Sequence, residues 1–588
     1  MGRRGLASSS VRDAEVTLTQ SSFLQAGALR RHALPLAALL ALGLLGVAPL
    51  FHAGFPATHD GQHQIVRLMH FHRGLVDGQL PVRWAGTALC GYGYPLFVFT
   101  YRLPFWIAEP WFLLTRSLAD AIKASFVVGF LASGVAMYWF AHLLTGSRLA
   151  AFAAAVLYLW APYRFLDLYV RGALGEATAF VFVPLVYGSV HRTAHDGERR
   201  TWWSLALGVT AACLVLSHMM IAALFVVPVA AWWALGLWTT SERRAYVAAS
   251  IRAGVVTLLL TAYYWLPASL ERRYTLIAAR LGNSWADHFV EPMQLVRGSW
   301  GFGFDLPGSA NDGMSFQLGL AQWLVCGGAV MLLGVLAWQR VAGRGRSAWG
   351  PLPTFTVLVG TSLASLYGTL PASAWFYALL QHAVVIDLPW KCLSVTVFCA
   401  AALLAVAVDR LRGQPALRYG VVAVVLGLAL YGNRDHVGVA AREYIPDAEW
   451  WRSNSTSNDY DEYAPSTFVT NGCSRDDPDL VVASGDAESR LLARRSNALS
   501  FATTVRSDDA VMQAKVASYP GWRASVDGQP ATLADRGGRV AVAVPRGDHV
   551  VSLVWRETGW RLVGDWASLL GLVYVGATAV SAARRSRP

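Results

Sequence analysis

Residues 33–51, ALPLAALLALGLLGVAPLF, form the first of a series of apolar runs that decide the fold class. A charge-free run that approaches about 20 residues can cross a bilayer as a helix. Comparable runs lie at residues 124–141, 201–217, 253–270, 318–338, 392–408 and 566–583, and shorter ones at 149–163, 177–190 and 419–432. The chain is 55% hydrophobic and 15% charged, which is more apolar surface than one soluble core can bury. We therefore predict an all-α polytopic membrane bundle of about twelve transmembrane helices.

The arginines of the chain predict its orientation. The formal net charge is +12, but the arginines gather in alternate connections between the apolar runs, as the positive-inside rule expects, and this distribution favours a bilayer over nucleic acid as the partner. The pattern predicts a multi-pass protein of the cytoplasmic (inner) membrane with both termini cytoplasmic and the first run kept as an uncleaved anchor. It also predicts a disordered cytoplasmic tail at 1–32 and long extracytoplasmic loops at 53–121, 271–316 and 433–561.

A change of composition after residue 432 predicts a second domain. Segments 510–518, 522–526, 539–544 and 549–555 alternate as strands do, and turn signals separate them at Pro520-Gly521, Asp527-Gly528, Gly537-Gly538 and Arg546-Gly547-Asp548. We predict a C-terminal extracytoplasmic all-β, sandwich-like domain at 433–561, preceded by the transmembrane domain at 33–432. A last transmembrane helix and a basic cytoplasmic tail follow at 562–588. Cys90 and Cys473 both lie in predicted extracytoplasmic segments, where a disulfide between them can form.

The first predicted loop opens with Thr58-His59-Asp60-Gly61-Gln62-His63, a carboxylate between two histidines at a membrane surface. An ionisable group at this position is a functional candidate. Asp60 could also cap the amphipathic helix that the pattern of residues 62–71 predicts. His59 and His63 lie four residues apart and would share a helix face if the helix began early, a spacing compatible with a divalent ion. Interfacial hydrogen bonding is the alternative for both.

Further ionisable residues are predicted on the same side of the membrane as Asp60. Arg83, Arg164, Arg171 and Lys391 stand where the positive-inside rule disfavours cations, so each calls for an anionic partner such as a phosphate. For Arg171, pairing with Asp167 or a lipid headgroup is the alternative. Glu176 would be a second carboxylate, although an acidic residue also suits a helix start. His218 marks a break in the apolar stretch 202–238, which is too long for one span.

Several motifs, taken in their order along the chain, resemble a known pattern. They are His59-Asp60 with His63, Gly78-Gln79-Leu80-Pro81-Val82-Arg83-Trp84, Gly91-Tyr92-Gly93-Tyr94-Pro95-Leu96-Phe97, Tyr169-Val170-Arg171-Gly172-Ala173-Leu174-Gly175-Glu176 and Leu388-Pro389-Trp390-Lys391. Together they resemble the bacterial polytopic membrane proteins labelled 6-pyruvoyl-tetrahydropterin-synthase-related, within the GT-C superfamily of glycosyltransferases. Residues 518–523, with Asp527-Gly528 and Gly547-Asp548-His549, are similar to the C-terminal module of YfhO-type membrane proteins.

The resemblance implies a membrane-embedded glycosyltransferase that transfers a sugar from a polyprenyl-phosphate-linked donor to an extracytoplasmic glycan, lipid or protein. An acidic residue in the first extracytoplasmic loop of such enzymes is catalytic, which corresponds to Asp60, with Glu176 in support. The donor phosphate would lie near Arg171, Arg83, Lys391 and Arg164, with His59, His63 and His218 as helpers. A divalent cation such as Mg²⁺ or Mn²⁺, held by Asp60, His59 and His63, is left open. The alternative is a non-catalytic transporter or assembly factor for lipid-linked glycans.

Overall fold

The computed structural model describes residues 31–281, 284–308, 311–342, 352–380, 388–458, 460–469 and 473–585. The predicted tail at 1–32 lies outside these residues, except for its last two residues, which begin the first helix. The last three residues of the predicted basic tail also lie outside.

The described part of the chain is mostly helical. Its α-helices are α1 (Arg31–Gly46), α2 (Gly61–Val76), α3 (Leu96–Phe99), α4 (Leu103–Thr115), α5 (Leu118–Thr145), α6 (Arg148–Leu159), α7 (Pro162–Phe165), α8 (Leu174–His195), α9 (Arg200–Ser217), α10 (Met219–Leu224), α11 (Val226–Thr239), α12 (Arg243–Glu271), α13 (Ile277–Leu281), α14 (Pro292–Val296), α15 (Leu320–Val341), α16 (Leu352–Gly368), α17 (Ala374–Leu380), α18 (Leu393–Arg410), α19 (Pro415–Gly432), α20 (Asp447–Trp450) and α21 (Gly559–Arg585). A π-helical turn, Leu166–Arg171, continues α7, and a 3₁₀ turn, Pro389–Cys392, precedes α18.

Among the described residues, eight helices are long and apolar enough to cross a membrane. Two bent helix pairs, 148–171 and 352–380, would raise the number to ten if each is one span, and α1 and α11 are shorter apolar helices. The protein is therefore a multi-pass membrane protein. The predicted number of about twelve spans, the identity of the membrane and the side on which the termini lie stay predictions.

The centre of the helical bundle is the segment formed by α18 and the turn before it. In the most apolar 18-residue stretch of this segment 89% of the residues are buried, against 6% in that of the last span, α21, which lies at the periphery. Small residues such as Ala400, Ala401 and Ala402 let neighbouring helices, α6 among them, approach α18 closely. The 3₁₀ turn at the start of α18 is thereby held at one end of the bundle interior.

The predicted helix at residues 62–71 is confirmed as α2, which buries Ile65, Leu68 and Met69. The predicted break at His218 is also confirmed, because α9 ends at Ser217 and His218 has an extended backbone. The segment after α19 returns to the first loop, where β1 (Phe55–Pro56) pairs antiparallel with β2 (Arg442–Glu443).

The C-terminal β domain is a half-barrel built on one seven-stranded antiparallel sheet, not a sandwich of two sheets. Its strands are β3 (Leu480–Ser484), β4 (Ala487–Arg495), β5 (Ala498–Ala517), β6 (Trp522–Val526), β7 (Gln529–Ala531), β8 (Leu533–Arg536) and β9 (Arg539–Trp555). The sheet is continuous because the two long strands, β5 and β9, pair with each other along their length and also with shorter strands at both ends. The domain's strands lie within residues 480–555, a shorter range than the predicted 433–561.

Three of the four predicted turns separate strands, and the fourth does not. Asp527 and Gly528 have φ values of +49° and +81°, as a two-residue hairpin requires. Gly537-Gly538 joins β8 to β9 in the same way, and Pro520-Gly521 joins β5 to β6. Arg546-Gly547-Asp548 lies inside β9, where the register against β5 shifts. Gly547 therefore lies at an irregular point of a continuous strand and not in a turn between two strands.

The first loop and the C-terminal domain are covalently joined. Cys90 and Cys473 form a disulfide with a Cα–Cα distance of 6.0 Å, as the sequence allowed. Trp84 packs among Tyr519, Trp522 and Trp555, with ring centroids 5.7 to 5.9 Å apart. These contacts fix the loop that begins with Asp60 against the β domain.

Candidate functional site

Asp60 is anchored to the segment that carries Arg171. The backbone N–H of Asp60 donates to the carbonyl oxygen of Arg171 at 2.7 Å. The chain turns at the next residue, Gly172, with φ +68°, and a Cβ there would lie 2.4 Å from the hydroxyl of Thr58. Only glycine suits both the positive φ and this close approach. The sequence Arg171-Gly172 therefore allows the first loop to lie directly on the π-helical turn.

The carboxylate of Asp60 does not cap α2. Asp60 is the residue directly before the helix, but its side chain accepts no hydrogen bond from the helix backbone. Among the described residues its carboxylate has no hydrogen bond or ion pair, and the residue is half-buried. The capping alternative is therefore wrong. A carboxylate in this condition can accept a proton from a bound molecule.

His59, Asp60 and His63, which the sequence offered as ligands of a divalent cation, are not arranged as a metal site. Because α2 begins at Gly61, His59 precedes the helix and does not share a helix face with His63. The described residues contain no group of three or more His, Cys, Asp or Glu side chains placed to hold an ion. Asp60, His59 and His63 do not fit a divalent cation, and we derive no step through one.

A buried ionic group surrounds Glu176 at the first turn of α8. The Glu176 carboxylate lies 2.8 Å from Nη2 of Arg171 and accepts a hydrogen bond from the Tyr163 hydroxyl at 2.9 Å. The other terminal nitrogen of Arg171 donates to Asp167. Glu176 and Asp167 are at most 1% exposed. Two carboxylates thus fix one guanidinium, as buried arginines require.

The motif at 388–391 adds Lys391 and Trp390 to this group. Lys391 Nζ lies 3.8 Å from Glu176 Oε1. The guanidinium of Arg171 lies over the ring of Trp390, 4.5 Å from its centroid, as a cation–π contact. We call Asp167, Arg171, Glu176 and Lys391 the Glu176 cluster. It draws residues from two motifs that lie on either side of α9 to α17 in the chain.

Tyr101 and His218 lie against the same turn of α8. A Cβ on Gly175 would lie 2.6 Å from Cζ of Tyr101 and 2.9 Å from Cδ2 of His218. The Tyr101 hydroxyl also donates to Gln64 on α2 at 3.4 Å. His218 accepts a hydrogen bond from the first turn of α10 through Nδ1, so it also holds a helix start. The predicted helper His218 is thereby beside the Glu176 cluster.

The loop between α12 and α15 contacts the site at two residues, His59 and Trp390. The ring of His59 stacks on Phe304 with a centroid distance of 4.2 Å, and its Nε2 lies 3.3 Å from the carbonyl oxygen of Phe302. Asp305, the next residue after Phe304, accepts a hydrogen bond from the indole N–H of Trp390. Burial lowers the pKa of His59, which favours its neutral form at pH 7.

Arg83 contacts none of these residues but belongs to a second buried ionic group. Its guanidinium pairs with Glu557 at 2.7 Å and with Asp565 at 2.6 Å. Arg561, one turn before Asp565 on α21, pairs with Glu271 at the end of α12 at 2.7 Å. We call Arg83, Glu271, Glu557, Arg561 and Asp565 the junction cluster, since it joins the first loop, α12 and α21.

Arg164 is buried among aromatic rings. Its guanidinium lies 3.9 Å from the ring centroid of Phe180 and donates to Ser133 at 2.8 Å. Its Nε and Nη1 atoms have no hydrogen-bond partner among the described residues. Arg164 stands near Asp167 of the Glu176 cluster.

The sequence interpretation missed four contributors to this site. Asp167 entered only as an alternative partner of Arg171, although its spacing of four residues from Arg171 on a helix was a usable signal. Tyr163 and Trp390 lie within or beside quoted segments, without a feature that marks them. Asp305 lies in a loop with no regular period, and nothing in the sequence distinguishes it.

Comparisons with known proteins give limited matches. No family model matches the chain. An uncharacterised protein of Lactococcus lactis subsp. cremoris (strain MG1363) is 24% identical over 184 residues, which cover 31% of this chain and 30% of that protein. The cryo-EM structure of the arabinofuranosyltransferase AftD from Mycobacteria is similar with a TM-score of 0.39 and 14% sequence identity, over 71% of this chain and 28% of that one. The chain thus spans less than a third of either, and the resemblance to the 6-pyruvoyl-tetrahydropterin-synthase-related and YfhO-type proteins stays a prediction.

Proposed function

We propose that this protein is a membrane glycosyltransferase of the GT-C type, which transfers a sugar from a polyprenyl-phosphate-linked donor to an extracytoplasmic acceptor. The observation that carries the proposal is the position of Asp60. Its carboxylate has no hydrogen-bond or ion-pair partner among the described residues, yet its backbone is bonded to Arg171 in a buried ionic cluster. Glycosyl transfer from a lipid phosphate needs a base for the acceptor and cations for the leaving phosphate.

In the proposed reaction Asp60 accepts the proton of an acceptor hydroxyl. The hydroxyl oxygen forms a bond to the anomeric carbon of the donor sugar as the bond from that carbon to the phosphate oxygen breaks. The electron pair of the broken bond stays on the polyprenyl phosphate, whose charge Arg171 and Lys391 stabilise. Glu176 and Asp167 hold the Arg171 guanidinium in place.

The location of the cluster suits a lipid-linked donor. Glu176 stands in the first turn of α8 and Lys391 in the turn before α18, so both lie at ends of candidate membrane spans. Ionisable groups buried at membrane spans commonly mark substrate paths. A phosphate at this depth would leave its polyprenyl chain among the apolar helices. Arg83 has two carboxylate partners elsewhere, so the proposed donor site does not use it.

Replacement of Asp60 by Asn tests the proposal, because it removes the base and keeps the size of the side chain. We expect the transfer of sugar to cell-envelope glycans to fall by about 10²-fold or more. The protein level should stay normal, since the Asp60 carboxylate makes no stabilising contact within the described structure. The matched control is Asp508→Asn, which changes an exposed aspartate of the β domain.

The same experiment separates the enzyme from its alternative. A transporter or assembly factor for lipid-linked glycans could use the cations of the Glu176 cluster, but it needs no base. Unchanged glycosylation in the Asp60→Asn strain, at normal protein level, would refute the catalytic proposal and favour the alternative.

A further inference from the structure

Asp305 makes an unusual set of contacts for a residue of a surface loop. One oxygen of its carboxylate, Oδ2, accepts the indole N–H of Trp390 and also lies 2.9 Å from Nδ1 of His288. The flanking residues Phe304 and Leu306 are 58% and 49% exposed, whereas the Asp305 side chain is 10% exposed. The loop thus directs a single carboxylate inward, toward the start of α18.

The loop around Asp305 is itself held in place. The backbone N–H of Gly303 donates to the carbonyl of Gly313 at 2.9 Å, and the N–H of Gly313 donates back to Phe304 at 2.8 Å. Asp312 lies near Asp305 and accepts a hydrogen bond from Gln294 at 2.7 Å, and burial together with the charge of Asp305 raises the pKa of Asp312 to about 6. The backbone bonds to Gly313 therefore hold the loop next to Asp305, in addition to the hydrogen bond from Trp390.

Trp390 connects this carboxylate to the proposed donor site. The indole is 1% exposed and packs against Tyr163 and Phe316, with ring centroids 6.3 and 5.5 Å away. The guanidinium of Arg171 lies over the face of the Trp390 ring. Since a cation–π contact depends on where the ring lies, a bond that fixes the edge of the indole also fixes the position of the cation above it.

We propose that Asp305 is a positioning residue that sets Arg171 for the donor phosphate by holding the indole of Trp390. This inference rests on the proposed function, because it assigns Arg171 to a polyprenyl phosphate. Asp305 itself touches no reacting atom. It acts through one hydrogen bond, which an amide oxygen could also accept but which a methyl group could not.

The test uses the full-length protein in detergent and farnesyl phosphate as a short polyprenyl monophosphate, with binding measured by calorimetry. We expect Asp305→Ala to weaken binding about tenfold through loss of a charge-assisted hydrogen bond, and Asp305→Asn to retain most of the affinity. Trp390→Phe keeps a ring and removes the N–H, so it should resemble Asp305→Ala. The double variant Asp305→Ala with Trp390→Phe should be no weaker than either single variant. Asp287→Asn, an exposed aspartate of the same loop, is the control.

Three results would overturn the inference. They are wild-type affinity in Asp305→Ala, an additive loss in the double variant, and equal losses in Asp305→Asn and Asp305→Ala. If Asp305→Ala does not fold, the Asp305→Asn and Trp390→Phe variants still give the comparison. Failure of the wild-type protein to bind farnesyl phosphate would instead refute the proposed donor site, and this inference with it.

Discussion

The Glu176 cluster and the junction cluster are both ionic, but they differ in how far apart in the chain their members lie and in whether a carboxylate without a partner among the described residues stands beside them. In the junction cluster Arg83 and Arg561 each pair with carboxylates from distant parts of the chain, and Tyr519 and Thr558 donate to the remaining positions of Glu271. Burial raises the pKa of Glu557, and Arg83 beside it opposes the shift. Each arginine of this cluster thus has a carboxylate partner from a distant segment.

The Glu176 cluster is open by comparison. Asp167, Arg171 and Glu176 come from a single short segment, so the cluster joins fewer distant parts of the chain. The carboxylate of Asp60 stands beside it without a hydrogen bond or ion pair in the described structure. The difference indicates that buried charge serves two purposes here. Ion pairs between distant segments hold those segments together, and a cluster with an available carboxylate beside it is suited to chemistry.

The comparison predicts its largest effect on stability at Arg561. Arg561→Met would leave Glu271 charged and buried without its arginine, and the loss of one partner of a buried pair costs about 3–5 kcal/mol. We expect a clearly lower melting temperature of the detergent-solubilised protein, followed by tryptophan fluorescence. Arg556→Met, at an exposed position five residues earlier, is the control. A melting temperature equal to that of the control would show that the junction cluster does not fasten α12 to α21.

Glu176→Gln should destabilise the protein less than Arg561→Met does, but it should reduce sugar transfer more. Arg171 keeps Asp167, and the amide oxygen can still accept the Tyr163 hydroxyl, so we expect a loss of about 1–3 kcal/mol. Sugar transfer should nevertheless be lost, because Arg171 is no longer held from both sides. The measurements are the same melting experiment and the assay of envelope glycans, with the exposed Glu488→Gln as control. A destabilisation as large as that of Arg561→Met, with transfer retained in the folded fraction, would make the Glu176 cluster structural too.

The sequence predicted what depends on local pattern. Apolar runs predicted the membrane helices, and the period of residues 62–71 predicted α2. The Asp527-Gly528 dipeptide predicted a hairpin turn, and both residues have the positive φ values that this turn requires. The distribution of arginines also predicted that Asp60, Arg171, Glu176 and Lys391 share one side of the membrane; that side stays a prediction, but the structure brings these four residues close together.

What the sequence could not predict depends on contacts between distant segments. Arg83 pairs with Glu557 and Asp565, which lie near the other end of the chain. No local pattern in the sequence relates them to Arg83. The sandwich prediction was wrong because strand alternation shows which residues face inward but not whether two long strands continue through a bend. The role of Asp305 is hidden for the same reason, since its partner Trp390 follows two further membrane helices.

The smallest predicted effect concerns His59, which lies near Asp60 and Arg171, and depends on pH. Burial lowers the pKa of His59, so the folded protein binds this proton less readily than the unfolded chain does, and stability should fall as the pH drops below the ordinary histidine range. His59→Phe keeps a ring to stack on Phe304 and removes the titration. Melting temperatures of both proteins at pH 7.5 and 5.5 should show a larger loss on acidification for the wild type, because all other titrating groups are shared. An equal loss in the two proteins would mean that the titration of His59 does not contribute to the pH dependence of stability.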